Sequence, residues 1–167
     1  MGQLVEEVKV WNTPLVGSFL LWRFTEGYIK NHINGDAPIG ILLFIASAIL
    51  TSDKYLSLIS DKRPNLQSFI RSFEEAKDAD LLVNIQERIR AKKQYTLQAI
   101  DIGIAEGLLV WDFESGKIYS KNLSVIPKRG KQLKEYFRKS GNKAEILGKW
   151  FSQHDLNSIV TYLKVVL

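Results

Sequence analysis

The chain has 167 residues, 46% of them hydrophobic and 25% charged, which is enough apolar material to bury a core and too much for a disordered tail. It contains no Cys, so disulfides, thiolate chemistry and any cysteine-ligated metal are excluded. The formal charge of +5 suits nucleic acid or an acidic partner surface and does not choose between them.

The opening MGQLVEEVKVW lacks the basic cluster and apolar run of a signal peptide. The longest apolar stretch, Ile39 to Leu50, is too short to cross a bilayer as a helix. A cytoplasmic protein with no membrane partner is therefore expected. Residues 1–10 read as an extended lead-in and residues 11–167 as one domain. Trp11-Asn12-Thr13-Pro14 starts a helix, with Thr13 as cap and Pro14 at the first helical position, where its missing N–H costs nothing. That helix runs to about Lys30 and carries Val16, Phe19, Leu20, Phe24 and Gly27 on one face. Asn34-Gly35-Asp36 is a turn. Asp36 caps a second helix that enters through Pro38, is apolar nearly all round, and so belongs at the centre.

Asp53 to Ile59 reads as a short helix or turn. Asn65 caps a helix over Leu66 to Glu75. The stretch Asp80 to Lys93 has Leu82, Ile85 and Ile89 at helical spacing; Thr96 to Glu106 has Leu97, Ile100 and Ile104, and Gly107 stops it. Leu109 to Phe113 and Lys117 to Tyr119 flank a turn containing Ser115-Gly116, which is a hairpin pattern. Beyond Pro127, the segment Lys128 to Lys149 holds eight basic and two acidic residues. Leu133, Tyr136 and Phe137 turn one helix inward; Ile146, Leu147, Trp150 and Phe151 turn the next. Asp155 to Leu163 shows Leu156, Ile159, Val160 and Leu163 at amphipathic spacing, so the C-terminus is expected to dock on its own core or on a partner.

These elements predict a mainly α (α+β) fold. It is a multi-helix domain with a winged-helix-like core over residues 65–120, one β-hairpin, and basic C-terminal helices over residues 128–167 packed against it. A helical bundle with an incidental hairpin is the alternative.

The search for chemistry comes out nearly empty. Neither GxxxxGK[ST] nor GxGxxG is present, and His32 and His154 have no second histidine at metal-ligand spacing. The acidic cluster of Glu74, Glu75, Asp78 and Asp80 sits beside a helix start, where negative charge is favourable for structural reasons. No catalytic residue, metal or cofactor is expected. Two basic zones are candidate phosphate contacts: Arg88, Arg90, Lys92 and Lys93, then Lys128, Arg129, Lys131, Lys134, Arg138 and Lys139. The helix that a winged helix would offer to the major groove has no Arg or Lys from Thr96 to Glu106, and its exposed side should present Gln98, Asp101 and Glu106. That composition argues against groove reading and leaves the surface for a protein. Trp11, Trp22, Tyr28, Trp111, Trp150 and Phe151 are the candidate aromatic anchors for a partner.

Three stretches carry a family resemblance: WNTPLVGSFLLWRFTEGY with DAPIGILLFIASAIL, then Arg88 with YTLQAIDIGIAEGLLVWDFESGKI, then KAEILGKWFSQHDLNSIVTYLKVVL. In this order and spacing they resemble the middle component of three-component ABC-ATPase systems, the bacterial conflict systems that include Lamassu-type defence. The resemblance runs over about residues 11–167 and rests on Asn12, Pro14, Trp22, Gly27 and Tyr28; on Arg88, Thr96, Ala99, Ile100, Gly107 and Leu108; and on Leu147, Gly148, Trp150, Phe151, Ile159, Leu163 and Val165. The chain departs from the pattern around TSDKYLSLI. The resemblance implies a non-catalytic adaptor that partners a large ATPase with coiled coils, related to the structural-maintenance-of-chromosomes ATPases. It also implies an effector partner, often a nuclease. The basic zones add a supporting non-specific DNA contact within the complex. A stand-alone winged-helix DNA-binding regulator is the alternative reading.

Overall fold

The structure, a computed structural model, describes residues 13–75, 80–121 and 135–167. Helices α1 (Pro14–Asn31), α2 (Gly40–Leu50), α3 (Asp53–Leu58), α4 (Leu66–Glu75), α5 (Asp80–Ala91) and α6 (Lys93–Ala105) come first. Strands β1 (Leu109–Asp112) and β2 (Lys117–Ser120) follow, then α7 (Glu135–Ser152) and α8 (Leu156–Leu163). The fold is thus predominantly helical with one two-stranded antiparallel hairpin, as the sequence pattern predicts. The order α4, α5, α6, hairpin is the order of a winged helix. The lead-in over residues 1–10 and residues 122–134, where the first basic C-terminal helix is expected to begin, lie outside the described residues.

Helix α1 is the spine, lying along α7 on one side and α6 on the other. Two glycines set its distance from α7. A Cβ at Gly27 would stand 2.2 Å from the carbonyl oxygen of Glu145, and one at Gly148 would stand 2.1 Å from that of Phe24. Backbone therefore meets backbone at this crossing, and Phe24 and Phe151 close it with an edge-to-face contact at 5.4 Å. At the rim Arg23 pairs with Glu145 at 2.6 Å and with Glu26 at 3.0 Å. Helix α2 is buried almost all round, as its composition predicts, leaving Ile41 and Phe44 partly uncovered.

The expected cap of α2 is not formed. The helix begins at Gly40 with Ile39 at its N-cap in extended geometry. The reason is tertiary: residues 38–40 run along β2. Ile118 N–H donates to the Pro38 carbonyl at 2.9 Å, Gly40 N–H donates to the Gly116 carbonyl at 2.8 Å, and Ile39 bridges Lys117. Asp36 instead accepts from Ala37 N–H at 3.0 Å and holds the Lys117 ammonium at 2.6 Å. The hairpin is therefore tied to the start of α2. Thr13 likewise occupies the N-cap of α1 without a side-chain capping bond. Its carbonyl accepts from Val16 N–H at 3.1 Å and from the Tyr95 hydroxyl at 3.0 Å.

Helix α4 matches the expected span, and its start is capped as predicted. The Asn65 Oδ1 accepts from Ser68 N–H at 2.9 Å, and Asn65 N–H donates to the Ser68 hydroxyl at 3.3 Å. Asn65→Ala should lower stability by about 1 kcal/mol, with Asn65→Asp keeping most of it. A thermal melt of the two variants checks this, and an unchanged Asn65→Ala midpoint would contradict it.

Helices α5 and α6 meet at Lys92 alone, so α6 starts about one turn before the expected Thr96. Lys92 N–H still donates to the Arg88 carbonyl at 2.8 Å and Thr96 N–H to that of Lys92, so the chain bends without a Gly or Pro to announce it. The buried stripe of α6 also differs: Thr96, Ala99, Ile100 and Gly103 are buried, whereas Ile104 is 40% exposed and Leu97 half-buried. Small residues let α6 approach α1, for a Cβ on Gly103 would lie 3.0 Å from the Ser18 hydroxyl.

Residues 135–152 form one helix rather than the two expected across this region. Asp155 caps α8 by accepting from Ser158 N–H at 2.7 Å, and Lys164 at φ 53° ends it. The C-terminal segment docks on the chain itself. Leu163 and Val165 are buried, and the Gln86 side chain exchanges hydrogen bonds with the Val166 backbone, accepting its N–H at 2.8 Å and donating to its carbonyl at 3.2 Å.

Candidate protein-binding groove

The hairpin, the first turn of α2 and the α5–α6 junction converge on one open groove. Its cavity volume is about 600 Å³. Ile39, Ile41, Phe44, Ile89 and Trp111 supply the apolar lining, Ser115 and Gly116 the hairpin side, and Arg90 and Lys93 the charged side. Phe113, at the end of β1, is 84% exposed and stacks on Trp111 at 5.4 Å. A partly buried Trp with an exposed Phe stacked on it, beside an apolar trough, is the composition of a binding surface.

The hairpin side of the site is tied to the rest of the fold. Trp111 is opposite Ile118 in the register, and Ile118 is buried. The Lys117–Asp36 pair clamps the strand to the chain leading into α2. Its hydrogen bond from Lys117, with help from Ala37 N–H, holds the Asp36 carboxyl below the usual carboxylate range. A carboxylate with a lowered folded-state pKa stabilises fully above its ordinary value, and the contribution disappears as pH falls through the lowered one. Acidification should therefore loosen the hairpin before the helices melt. Trp111 resonances followed by NMR would report this, and Asp36→Asn should abolish that separate acid step.

The candidate anchors divide sharply. Trp111 lines the groove. Trp22 is half-buried, with its indole N–H donating to the Lys121 carbonyl at 3.3 Å. Tyr28, Trp150 and Phe151 are buried, and this corrects their assignment as exposed anchors: each ring packs inside the core around α1, α4 and α7. Trp11 lies outside the described residues.

The basic candidates divide too. Arg88 is half-buried; it donates from Nε to the Ala48 carbonyl at 2.9 Å and from Nη2 to the Thr51 hydroxyl at 3.2 Å, so it closes the C-terminal end of α2 rather than facing a phosphate. Lys92 lies over the Tyr95 ring at 4.5 Å. Arg90 and Lys93 are exposed at the groove, and Arg138 and Lys139 are exposed on α7. Lys128, Arg129, Lys131 and Lys134 lie outside the described residues. Gln98, Asp101 and Glu106 on α6 are all exposed, as expected.

No group of three or more His, Cys, Asp or Glu among the described residues could hold a metal ion. The His32 Nδ1 accepts from the backbone N–H groups of Asn34 at 3.2 Å and Asp36 at 3.1 Å, a turn-stabilising role. His154 packs edge-on against Tyr162. No described helix is long and apolar enough to cross a membrane.

A model of the family described as ABC-three component (ABC-3C) system Middle Component 3 matches residues 1–167. The chain belongs to that family. The resemblance to the middle component of three-component ABC-ATPase systems is thereby borne out. No curated protein matches the chain, and no solved structure does. Of the positions that carried the resemblance in this middle component, Gly27, Gly148, Trp150 and Phe151 build the α1–α7 packing, and Arg88 joins α5 to α2. Of the groove residues, Ile41 and Phe44 were not singled out from the sequence, nor was Phe113 beside them, and Ile89 was read there only as part of a helical stripe. Ile41 and Phe44 carry the only local signal, an i,i+3 pair, and it is lost within a helix that is apolar on every side.

Proposed function

We propose that this middle component is a non-catalytic adaptor that bridges the ATPase of its three-component system to an effector protein in anti-phage or anti-plasmid defence. Membership of the Middle Component family over residues 1–167 is the observation that carries this reading. The ATPase is of the coiled-coil, structural-maintenance-of-chromosomes-like class, and the effector is a nuclease. The chain works in the cytoplasm, and any DNA contact it makes, through Arg138, Lys139 and the basic segment before them, is a sequence-independent support. An exposed Phe113 stacked on the partly buried Trp111 of an apolar groove supports a protein-binding role.

The stand-alone DNA-binding reading has less in its favour. The face of α6 that would enter a major groove presents Asp101 and Glu106, and carboxylates repel phosphates. The β2 strand of the wing is tied down by Asp36 rather than free to reach a neighbouring groove.

The bridging role is tested by expressing the ATPase and the effector with and without this chain and measuring whether they co-purify. Bridging requires that the two separate when the chain is missing. Undiminished association without it would remove the adaptor reading.

A further inference from the structure

We infer that the groove between α2, the α5–α6 junction and the hairpin receives a short segment of a partner protein that bears apolar side chains on one face and acidic residues on its flank. The inference rests on the adaptor reading and adds to it the surface used and the chemistry of what is bound.

The lining decides the first half. Ile39, Ile41, Phe44, Ile89 and Trp111 present carbon to an open trough of about 600 Å³. Ile41 is 37% exposed although it sits in the most apolar helix of the chain, and Phe113 stands at the trough's edge almost wholly in water. Leaving such surface uncovered is unfavourable, and a complementary apolar face would recover that free energy. Bases and phosphates are poorly matched to a trough with so few polar groups, and a small polar ligand would find few hydrogen-bonding partners to orient it.

Charge decides the second half. The two charged residues of the lining are both cations, Arg90 and Lys93. No carboxylate is among the lining residues; of those near it, Asp36 holds Lys117, Asp112 accepts from the Ser115 hydroxyl at 2.7 Å and from Glu114 N–H at 3.1 Å, and Glu87 and Glu114 are exposed to water. Arg90 and Lys93 stand on opposite sides of the α5–α6 bend, so that bend sets their placement on one wall. A partner segment seated on Trp111 and Phe44 would bring its flank against this wall, and Asp or Glu there would be favoured. The signal is not local in sequence, because the trough joins residues near 40, 90 and 113.

The test uses the full chain inside cells that express its complete three-component system. A photo-reactive phenylalanine analogue is placed at Phe113 or, separately, at Ile41, and at Ile33, 91% exposed on the α1–α2 turn, as a control. Cross-linked peptides are identified by mass. The expected result is one peptide of the ATPase or effector, apolar with acidic neighbours, captured from positions 113 and 41 and not from 33. The double charge reversal Arg90→Glu with Lys93→Glu, on exposed positions that should leave the fold intact, should weaken co-purification of that component by about tenfold or more. Charge reversal of the captured acidic residues should restore it. Capture of a second copy of this chain, capture of nucleic acid, or full co-purification of the doubly reversed variant would each overturn the inference while leaving the adaptor reading in place. Failure of the unmodified chain to co-purify with either component would instead overturn the adaptor reading itself.

Discussion

Replacing Gly148 with Ala should destabilise the protein by about 3 kcal/mol, a fall in melting temperature of about 10 °C for a chain of this size. The sign is the informative part. Gly148 lies inside α7, and an exposed helix-interior Gly→Ala change normally stabilises by about 0.5–1 kcal/mol through the backbone entropy of the unfolded chain. Here the new methyl would stand 2.1 Å from the Phe24 carbonyl oxygen and 2.8 Å from the Tyr28 nitrogen, both backbone atoms of α1. Neither can rotate away, so α1 and α7 must separate. Phe24 and Phe151, both fully buried at that crossing, would lose their contact. Gly141, in the same helix, is the control: its Cβ would meet the Phe19 ring at 3.0 Å, a side chain able to shift. Gly141→Ala should cost much less. A Gly148→Ala variant that melts above the wild type would mean that the two helices do not cross as closely as described.

Trp150→Ala is the second large effect, a loss of about 3–5 kcal/mol. Trp150 is 1% exposed and its ring lies 5.4 Å from that of Phe69, which in turn packs edge-to-face on Phe73 at 4.9 Å. Removing the indole would leave a cavity between α7 and α4 that these large rings cannot fill. A domain of ordinary stability has about 5–15 kcal/mol in total, so the variant should be near the threshold of unfolding at body temperature. Denaturant titration measures the loss, and Trp150→Phe should recover more than half of it. The pair also separates core from contact. If Trp150 acted as a partner anchor, Trp150→Ala would weaken partner binding while leaving the isolated chain's denaturation midpoint unchanged, which is the opposite of the expected pattern.

The sequence is most legible where a local signal and tertiary packing agree. Asn65 announces α4, Ser115-Gly116 announces the hairpin, and Asp155 with Leu156, Ile159, Val160 and Leu163 announces α8. Each is a short-range rule that packing does not override. The break between α5 and α6 is legible to within about a turn, expected after Lys93 and found at Lys92; its exact place is not, because Lys92 is neither a breaker nor a cap, and Ile85 and Ile100 must both reach the core. The start of α2 is displaced because Pro38, Ile39 and Gly40 are claimed by a hairpin more than seventy residues later, beyond the reach of any local rule. Aromatic type alone could not separate Trp111 from Trp150. One is partly open beside a groove and the other is sealed in the core, and only the helix packing distinguishes them. The same holds for charge: Arg88 and Arg90 are two residues apart, yet one ties α5 to α2 and the other faces water. The groove is the least legible feature, since it exists only once α2, the bend and the hairpin have met.

The adaptor account is tested most directly by purifying the tagged chain from cells that express its own three-component system. Nuclease and 0.5 M salt are included to remove associations held by DNA, and the co-purifying proteins are identified by mass. The account predicts a stoichiometric coiled-coil ATPase together with the effector, retained in salt. A chain recovered alone, bringing DNA only at low salt, would contradict it and favour a DNA-binding regulator.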